Sequence, residues 1–98
     1  PVLEDRHVDA IEDWVDEAQA ELEPPELFVL PGGSEVGSRL HLARTVCRRA
    51  ERRVHDLAEE ATVAESVLVY LNRLSDALFV FARLANQRAG VEEEHPTY

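Results

Sequence analysis

Residues 35–60 read EVGSRLHLARTVCRRAERRVHDLAEE, and this stretch decides the fold class. Its apolar and small side chains recur every three or four positions, which predicts a long amphipathic α-helix. They are Val36, Leu40, Ala43, Cys47, Ala50, Val54 and Leu57. The spacing is that of a heptad seam, so we expect this helix to belong to an antiparallel bundle. Ser34 is the expected N-cap.

Two further helices are predicted on either side. The first covers about 4–22 and has one apolar stripe, formed by Val8, Ile11, Val15, Ala18 and Leu22. The third covers about 65–89, with a main stripe of Val67, Leu71, Leu74, Leu78, Phe81 and Ala85 and a second apolar face at Leu68, Phe79 and Ala82. A helix that is apolar on two faces needs more neighbours than the other two helices supply.

Proline and glycine separate the predicted helices. Pro24 and Pro25 end the first, because proline lacks a backbone donor and restricts the residue before it. The segment 27–34, LFVLPGGS, is expected to be a loop pressed against the helices rather than a strand. Gly90 ends the third helix, and 91–98 is expected to be a tail. The prediction is one all-α helical-bundle domain over 1–98.

Composition argues against several function classes. The 98 residues carry 20 Asp and Glu against 10 basic residues, for a formal charge of −10. This excess of acid disfavours nucleic acids and anionic membrane surfaces as partners. The sequence has no apolar run of about 20 residues and no signal segment, so a cytoplasmic location is expected. The lack of lysine alongside the acid excess resembles proteins from high-salt cytoplasm.

The charge is unevenly distributed. Residues 1–38 contain eleven acids and one base, whereas 39–55 contain six arginines and one acid. On a helix, Arg44, Arg48, Glu51 and His55 share one polar stripe with Arg52 at its edge. Stacked arginines repel unless an anion or opposing acids lie between them. The stripe therefore indicates either polyanion binding, which we favour, or ion pairing with the protein's own acids.

A second polar patch interrupts the third predicted helix at Asn72, Ser75 and Asp76. It is either a ligand contact or a satisfied buried network in which Asp76 pairs with Arg73 or Arg83. The four histidines and Cys47 lack the spacing of a metal site, so we expect no metal ligands from protein side chains. No Ser-His-Asp arrangement, carboxylate pair or glycine-rich phosphate loop is apparent.

Three ordered motifs carry a family resemblance. They are FVLPGGS at 28–34, HLARTVCRRAERR at 41–53 and YLNRLSD at 70–76, followed by Leu78-Phe79 and Arg83-Leu-Ala-Asn86. Together they span about 24–90, and this part of the chain resembles the PduO-type ATP:cob(I)alamin adenosyltransferases. The resemblance implies a trimer of five-helix bundles with active sites between subunits. It also implies that cob(I)alamin attacks the 5′ carbon of Mg²⁺-bound ATP, giving adenosylcobalamin and triphosphate.

The resemblance also assigns residues. It implies that Arg48 contacts the triphosphate within an ATP-binding stretch that includes Arg49, Glu51 and Arg52. Asn72 corresponds to a nucleotide contact, and Arg44 to an arginine that bridges to an acid of a neighbouring subunit. Arg44 and Arg48 are therefore the expected catalytic residues. Phe28 corresponds to an aromatic residue that crowds the lower face of the corrin, although the residues alone favour an ordinary core role for it.

The sequence departs from the family at its start, because nothing in it matches the family's N-terminal phosphate-binding segment. We therefore expect the C-terminal part of a longer enzyme, with little or no activity as the isolated chain. A reductase and a cobalamin-dependent acceptor enzyme are possible partners. The alternative hypothesis is a non-catalytic oligomerisation module whose arginine-rich face binds acidic helices.

Overall fold

A computed structural model describes residues 3–22 and 32–91 as three α-helices: α1 (Asp5–Glu21), α2 (Glu35–Ala58) and α3 (Glu65–Arg88). The predicted all-α class is confirmed, and each helix boundary lies within two residues of its expected place. Phe28 and the tail from residue 92 lie outside the described residues. Within 3–22 and 32–91 no helix has the length and hydropathy of a membrane span.

Local chemistry explains where the helices begin and end. Ser34 caps α2, as predicted, by accepting a hydrogen bond from the Gly37 backbone N–H at 3.0 Å. Glu4 and His7 form a reciprocal capping box at the start of α1. After α3, Gly90 adopts a φ of 71°, which glycine tolerates without a Cβ penalty, and this left-handed residue stops the helix.

The third helix is the centre of the fold. Both α1 and α2 pack against α3, while α1 and α2 do not touch one another within the described part of the chain. The small core is built from Ile11, Ala18, Cys47, Ala77, Val80 and Ala82. Two different faces of α3 are therefore covered by two different helices, which accounts for its second apolar face.

The packing of α2 differs from the seam that its heptad pattern predicts. It approaches α3 along Gly37, His41, Arg44, Cys47 and Glu51. That line lies about 90° around α2 from the centre of the apolar stripe. Val36 and Leu57, at the two ends of the stripe, are 60% and 53% exposed. Because Gly37 has no Cβ, the Asn86 side chain of α3 fits against it, so polar contacts determine which face α2 presents.

Apolar surface remains on one side of the α2–α3 pair. On α3, Val67, Leu74, Leu78 and Ala85 are only half-buried, because they lie between the faces that α1 and α2 cover. The half-buried stripe residues Leu40 and Ala43 of α2 turn to the same side. This agrees with the prediction that α3 has more apolar surface than two helices cover.

Asn86 attaches the turn before α2 to the end of α3. The amide is only 3% exposed, and its Nδ2 donates to the Gly32 carbonyl at 2.8 Å. Its Oδ1 accepts from both the backbone N–H and the hydroxyl of Ser34. A Cβ at Gly33 or Gly37 would overlap the Asn86 side chain, so the two glycines provide the space that this amide fills.

Candidate functional site

Four arginines in the C-terminal half of α2 are exposed and form no ion pair within the described residues. They are Arg48, Arg49, Arg52 and Arg53. By contrast, Arg39, Arg73 and Arg88 each bind a carboxylate at 2.6 to 2.9 Å. Pairing with the protein's own acids thus accounts for those three arginines but not for the four in the C-terminal half of α2. Unpaired guanidinium groups suit a phosphate or carboxylate ligand.

The contact between Glu51 and Asn72 lies beside these arginines. Asn72 Nδ2 of α3 donates to Glu51 Oε1 of α2 at 3.4 Å, and both side chains are half-buried. Arg48 lies one helical turn before Glu51, and Arg52 directly follows it. The structure therefore brings Arg48, Glu51, Arg52 and Asn72 to one region where α2 meets α3.

Asn72 also belongs to a chain of hydrogen bonds that joins all three helices. Arg73 Nη1 donates to Asn72 Oδ1 at 2.7 Å, and Arg73 Nε donates to Glu12 Oε1 of α1 at 2.9 Å. Both polar atoms of the Asn72 amide are consequently engaged. Glu12 is not among the residues predicted from the sequence, and Arg73 is expected there only as a candidate partner of Asp76, because neither contact can be read from spacing within one helix.

Arg44 turns away from Arg48 and into the α2–α3 interface. Its Cζ lies 4.9 Å from the centroid of the Phe79 ring, a cation–π geometry. His41 approaches the same ring edge-on at 5.9 Å. Arg44 Nε is buried and has no hydrogen-bond acceptor among the described residues. Arg44 and Arg48 thus share the predicted stripe but have different surroundings, one in the interface and the other exposed.

The structure places one predicted site residue of the described ranges, Arg49, away from the Asn72 region. Arg49 lies about 100° around the helix from Arg48, on the side of α2 away from α3. Phe28 lies outside the described residues, so its expected place beside the corrin stays a prediction.

Arg73 and Arg83 are the two candidate partners of Asp76 in the buried-network hypothesis, and Arg73 is not its partner within the described residues. Arg73 instead binds Glu12, because α1 packs against that face of α3 and brings an acid within reach. Asp76 is exposed and shares a shallow depression with Arg73 and the α1 residues Ile11 and Val15. Ser75 is 2% exposed, and its hydroxyl has no partner within 3–22 and 32–91.

Electrostatics at the interface favour a neutral Cys47. Burial raises the pKa of the Cys47 thiol, and the nearby Glu51 carboxylate raises it further. Cys47 Sγ contacts the Leu71 carbonyl oxygen at 3.4 Å. In the described ranges, no three His, Cys, Asp or Glu side chains come together as a metal site.

Taken together, the region offers cationic donors, an amide and a carboxylate within a few residues of one another. The exposed guanidinium groups of Arg48 and Arg52 can bind a multiply charged anion. The Asn72 amide can add a directional hydrogen bond to a neutral part of the same ligand. Such a set fits a ligand with a phosphate chain and a polar organic group.

Comparison with known proteins yields a consistent family. The sequence model of the family described as cobalamin adenosyltransferase matches residues 1–85 of this chain. A corrinoid adenosyltransferase of Bacillus subtilis is 47% identical over 89 residues, which cover 91% of this chain and 46% of that protein. Corrinoid adenosyltransferase MMAB of Homo sapiens is 43% identical over 94 residues, covering 96% of this chain and 35% of that protein.

Similar solved structures belong to the same family. A single-residue variant of the PduO-type ATP:corrinoid adenosyltransferase from Lactobacillus reuteri, complexed with cobalamin and ATP, superposes with a TM-score of 0.91 at 34% identity. The match covers 100% of this chain and 54% of that one. The chain thus spans about half or less of the length of these relatives.

Proposed function

The chain belongs to the cobalamin adenosyltransferase family, and from that premise we propose that it forms the ATP-binding part of an ATP:corrinoid adenosyltransferase. In the proposed reaction, Co(I) of the corrinoid attacks the 5′ carbon of ATP. A cobalt–carbon bond forms while the carbon–oxygen bond to the triphosphate breaks, and triphosphate leaves. The products are adenosylcobalamin and inorganic triphosphate.

One observation carries this proposal: Arg48 and Arg52 are exposed and unpaired beside Asn72, within the described residues of a chain with net charge −10. Cob(I)alamin is a strong nucleophile, so the reaction needs orientation of ATP and stabilisation of the leaving polyanion more than it needs a general base. Unpaired arginines supply that stabilisation without first breaking an internal ion pair.

We assign the residues as follows. Arg48 and Arg52 bind the triphosphate, and Asn72 donates a hydrogen bond to the nucleoside side of ATP. Glu51 holds Asn72 at their shared contact. Family resemblance adds Arg49 as a further ATP contact and Phe28 as a corrin contact. Mg²⁺ would accompany the ATP phosphates, since it keeps several waters and binds phosphate oxygens readily.

Arg44 has a different proposed role. The cation–π contact with Phe79 holds its guanidinium in the helix interface, and its buried Nε still lacks an acceptor among the described residues. An acid from a second subunit would complete it, as the family's intersubunit bridge implies. We therefore propose that the protein works as a homotrimer in which Arg44 supports the site from the subunit boundary.

The wider setting is also proposed from the family. The chain would be the C-terminal part of a longer five-helix domain, acting in the cytoplasm with a reductase that supplies Co(I) and an enzyme that takes up adenosylcobalamin. The half-buried stripes of α2 and α3 support further helices of the same bundle. The alternative of a non-catalytic module is not favoured, because the relatives are named as adenosyltransferases.

The test is an adenosyl-transfer assay with chemically reduced cobalamin and MgATP, following adenosylcobalamin by absorbance and triphosphate by chromatography. The complete natural chain should form both in equal amounts. Arg48→Ala should reduce turnover by at least tenfold, whereas Arg39→Ala, on the same helix, should leave it unchanged. Formation of ADP or AMP without adenosylcobalamin would contradict the proposed reaction.

A further inference from the structure

Arg73 has no role in the proposed reaction, yet it forms a hydrogen bond with Asn72, the residue that we propose binds the nucleotide. Two of its guanidinium nitrogens bind different helices: Nη1 bonds Asn72 Oδ1 at 2.7 Å, and Nε bonds Glu12 Oε1 at 2.9 Å. Both Arg73 and Glu12 are about half exposed, at 40% and 47% of their side chains. A pair this exposed contributes little to stability, so its geometry matters more than its energy.

The bond to Arg73 sets the orientation of the Asn72 amide. A guanidinium only donates hydrogen bonds, so the amide atom facing Arg73 has to be the acceptor Oδ1. The donor Nδ2 then faces α2, where it meets Glu51. The Glu51 bond uses one N–H, and the second N–H has no acceptor among the described residues.

We infer that Arg73, oriented by Glu12 of α1, is a positioning residue that holds the Asn72 amide with its remaining N–H available to an acceptor atom of the nucleotide. This inference rests on the proposed function. Without Arg73 the amide is oriented only by its longer contact with Glu51 at 3.4 Å, and Oδ1 loses its donor, so the amide is held less firmly in the orientation that binds the ligand. Glu12 of α1, which does not contact the nucleotide itself, thereby contributes to nucleotide binding through Arg73.

The experiment is calorimetry with MgATP on the complete natural chain, using a double-mutant cycle between Arg73 and Asn72. Arg73→Met should weaken binding about fivefold to tenfold. In the Asn72→Ala background, the same change should weaken binding less than twofold, because the amide it orients is gone. Arg73→Lys, which keeps a single donor group, should recover part of the loss.

A matched control separates positioning from a general structural effect. Arg88 binds Glu21 at 2.7 and 3.1 Å and thereby joins α3 to α1 near the other end of α3. Arg88→Met removes the same kind of helix-to-helix ion pair far from Asn72, and it should leave ATP affinity unchanged. A merely structural role for Arg73 would instead give equal losses in both Arg variants, or equal losses with and without Asn72, and would overturn the inference.

The outcome also separates this inference from the proposed function. A wild-type protein that binds MgATP and loses affinity in Asn72→Ala but not in Arg73→Met would overturn the inference alone. A wild-type protein that binds no MgATP would overturn both.

Discussion

The Asn86 side chain accepts two hydrogen bonds from one residue, Ser34, at 2.8 Å from its backbone N–H and 2.7 Å from its hydroxyl. Ser34 is also the N-cap of α2, so the amide fixes the capping residue itself. One buried side chain on α3 thereby sets where α2 begins and which face it presents. The position of the arginine-rich part of α2 over α3 depends on this attachment.

Replacing the amide should destabilise the fold. Asn86→Ala leaves the Ser34 N–H and hydroxyl and the Gly32 carbonyl without their partner, and we expect a loss of about 1–3 kcal/mol in the free energy of unfolding. Urea unfolding followed by circular dichroism measures it. The neighbouring Gln87→Ala removes an exposed bond to the Glu21 carbonyl and should cost much less. Equal losses in the two variants would contradict the role given to Asn86.

Gly37 should resist replacement by a better helix former. In an open helix, alanine would stabilise by about 1 kcal/mol over glycine. Here its Cβ would overlap the Asn86 amide, so Gly37→Ala should destabilise instead. Ser38→Ala, at an exposed position one residue on, should be close to neutral.

A double variant checks that the overlap with Asn86 is the cause. Adding Asn86→Ala to Gly37→Ala creates space, so the two losses should combine to less than their sum in urea unfolding. Strict additivity would show that the two residues do not compete for the same volume.

The Cys47 thiol should react slowly. Because burial and Glu51 raise its pKa, iodoacetamide at pH 8.5 should modify it more slowly than a free cysteine peptide. Glu51→Gln removes the nearby negative charge and should lower the pKa, shifting the rate profile to lower pH. An unchanged profile would contradict the contribution of Glu51.

The same shift has a consequence for stability. A thiol whose pKa is raised by folding favours the folded state at pH values below the unfolded pKa, about 8.5. That contribution is lost as pH rises through the folded pKa. The melting temperature should therefore fall from pH 8 to 9.5 by more in the wild type than in Cys47→Ala, and parallel curves would contradict it.

The sequence predicted the helices well because their signals are local. Ser34, Gly90 and the three-four spacing of apolar residues act within one or two turns, so they predict helices without any tertiary contact. The face of α2 that meets α3 could not be obtained this way. It depends on the fit of Asn86 against Gly37, between residues distant in the chain.

The sequence predicts which residues of the site carry charge or match the family motif, but not which partners they contact. The arginine-rich stretch stood out by charge, and the family motif indicated Asn72. The different surroundings of Arg44 and Arg48 depend on where Phe79 lies. The contact between Glu12 and Arg73 depends on the packing of α1 on α3. In both cases the deciding partner belongs to another helix, which spacing along one helix does not reveal.

We propose that the side of α2 next to Asn72 binds the triphosphate of ATP. Calorimetric titration of the complete natural chain with MgATP, comparing Arg48→Ala with Arg53→Ala, distinguishes this side of the helix from the opposite one. Both variants remove one exposed, unpaired arginine from the same helix, but Arg53 lies on the side away from α3. We predict at least a tenfold loss of affinity for Arg48→Ala and less than twofold for Arg53→Ala. Equal losses in the two variants, or no MgATP binding by the wild type, would rule out this side of α2 as the triphosphate site.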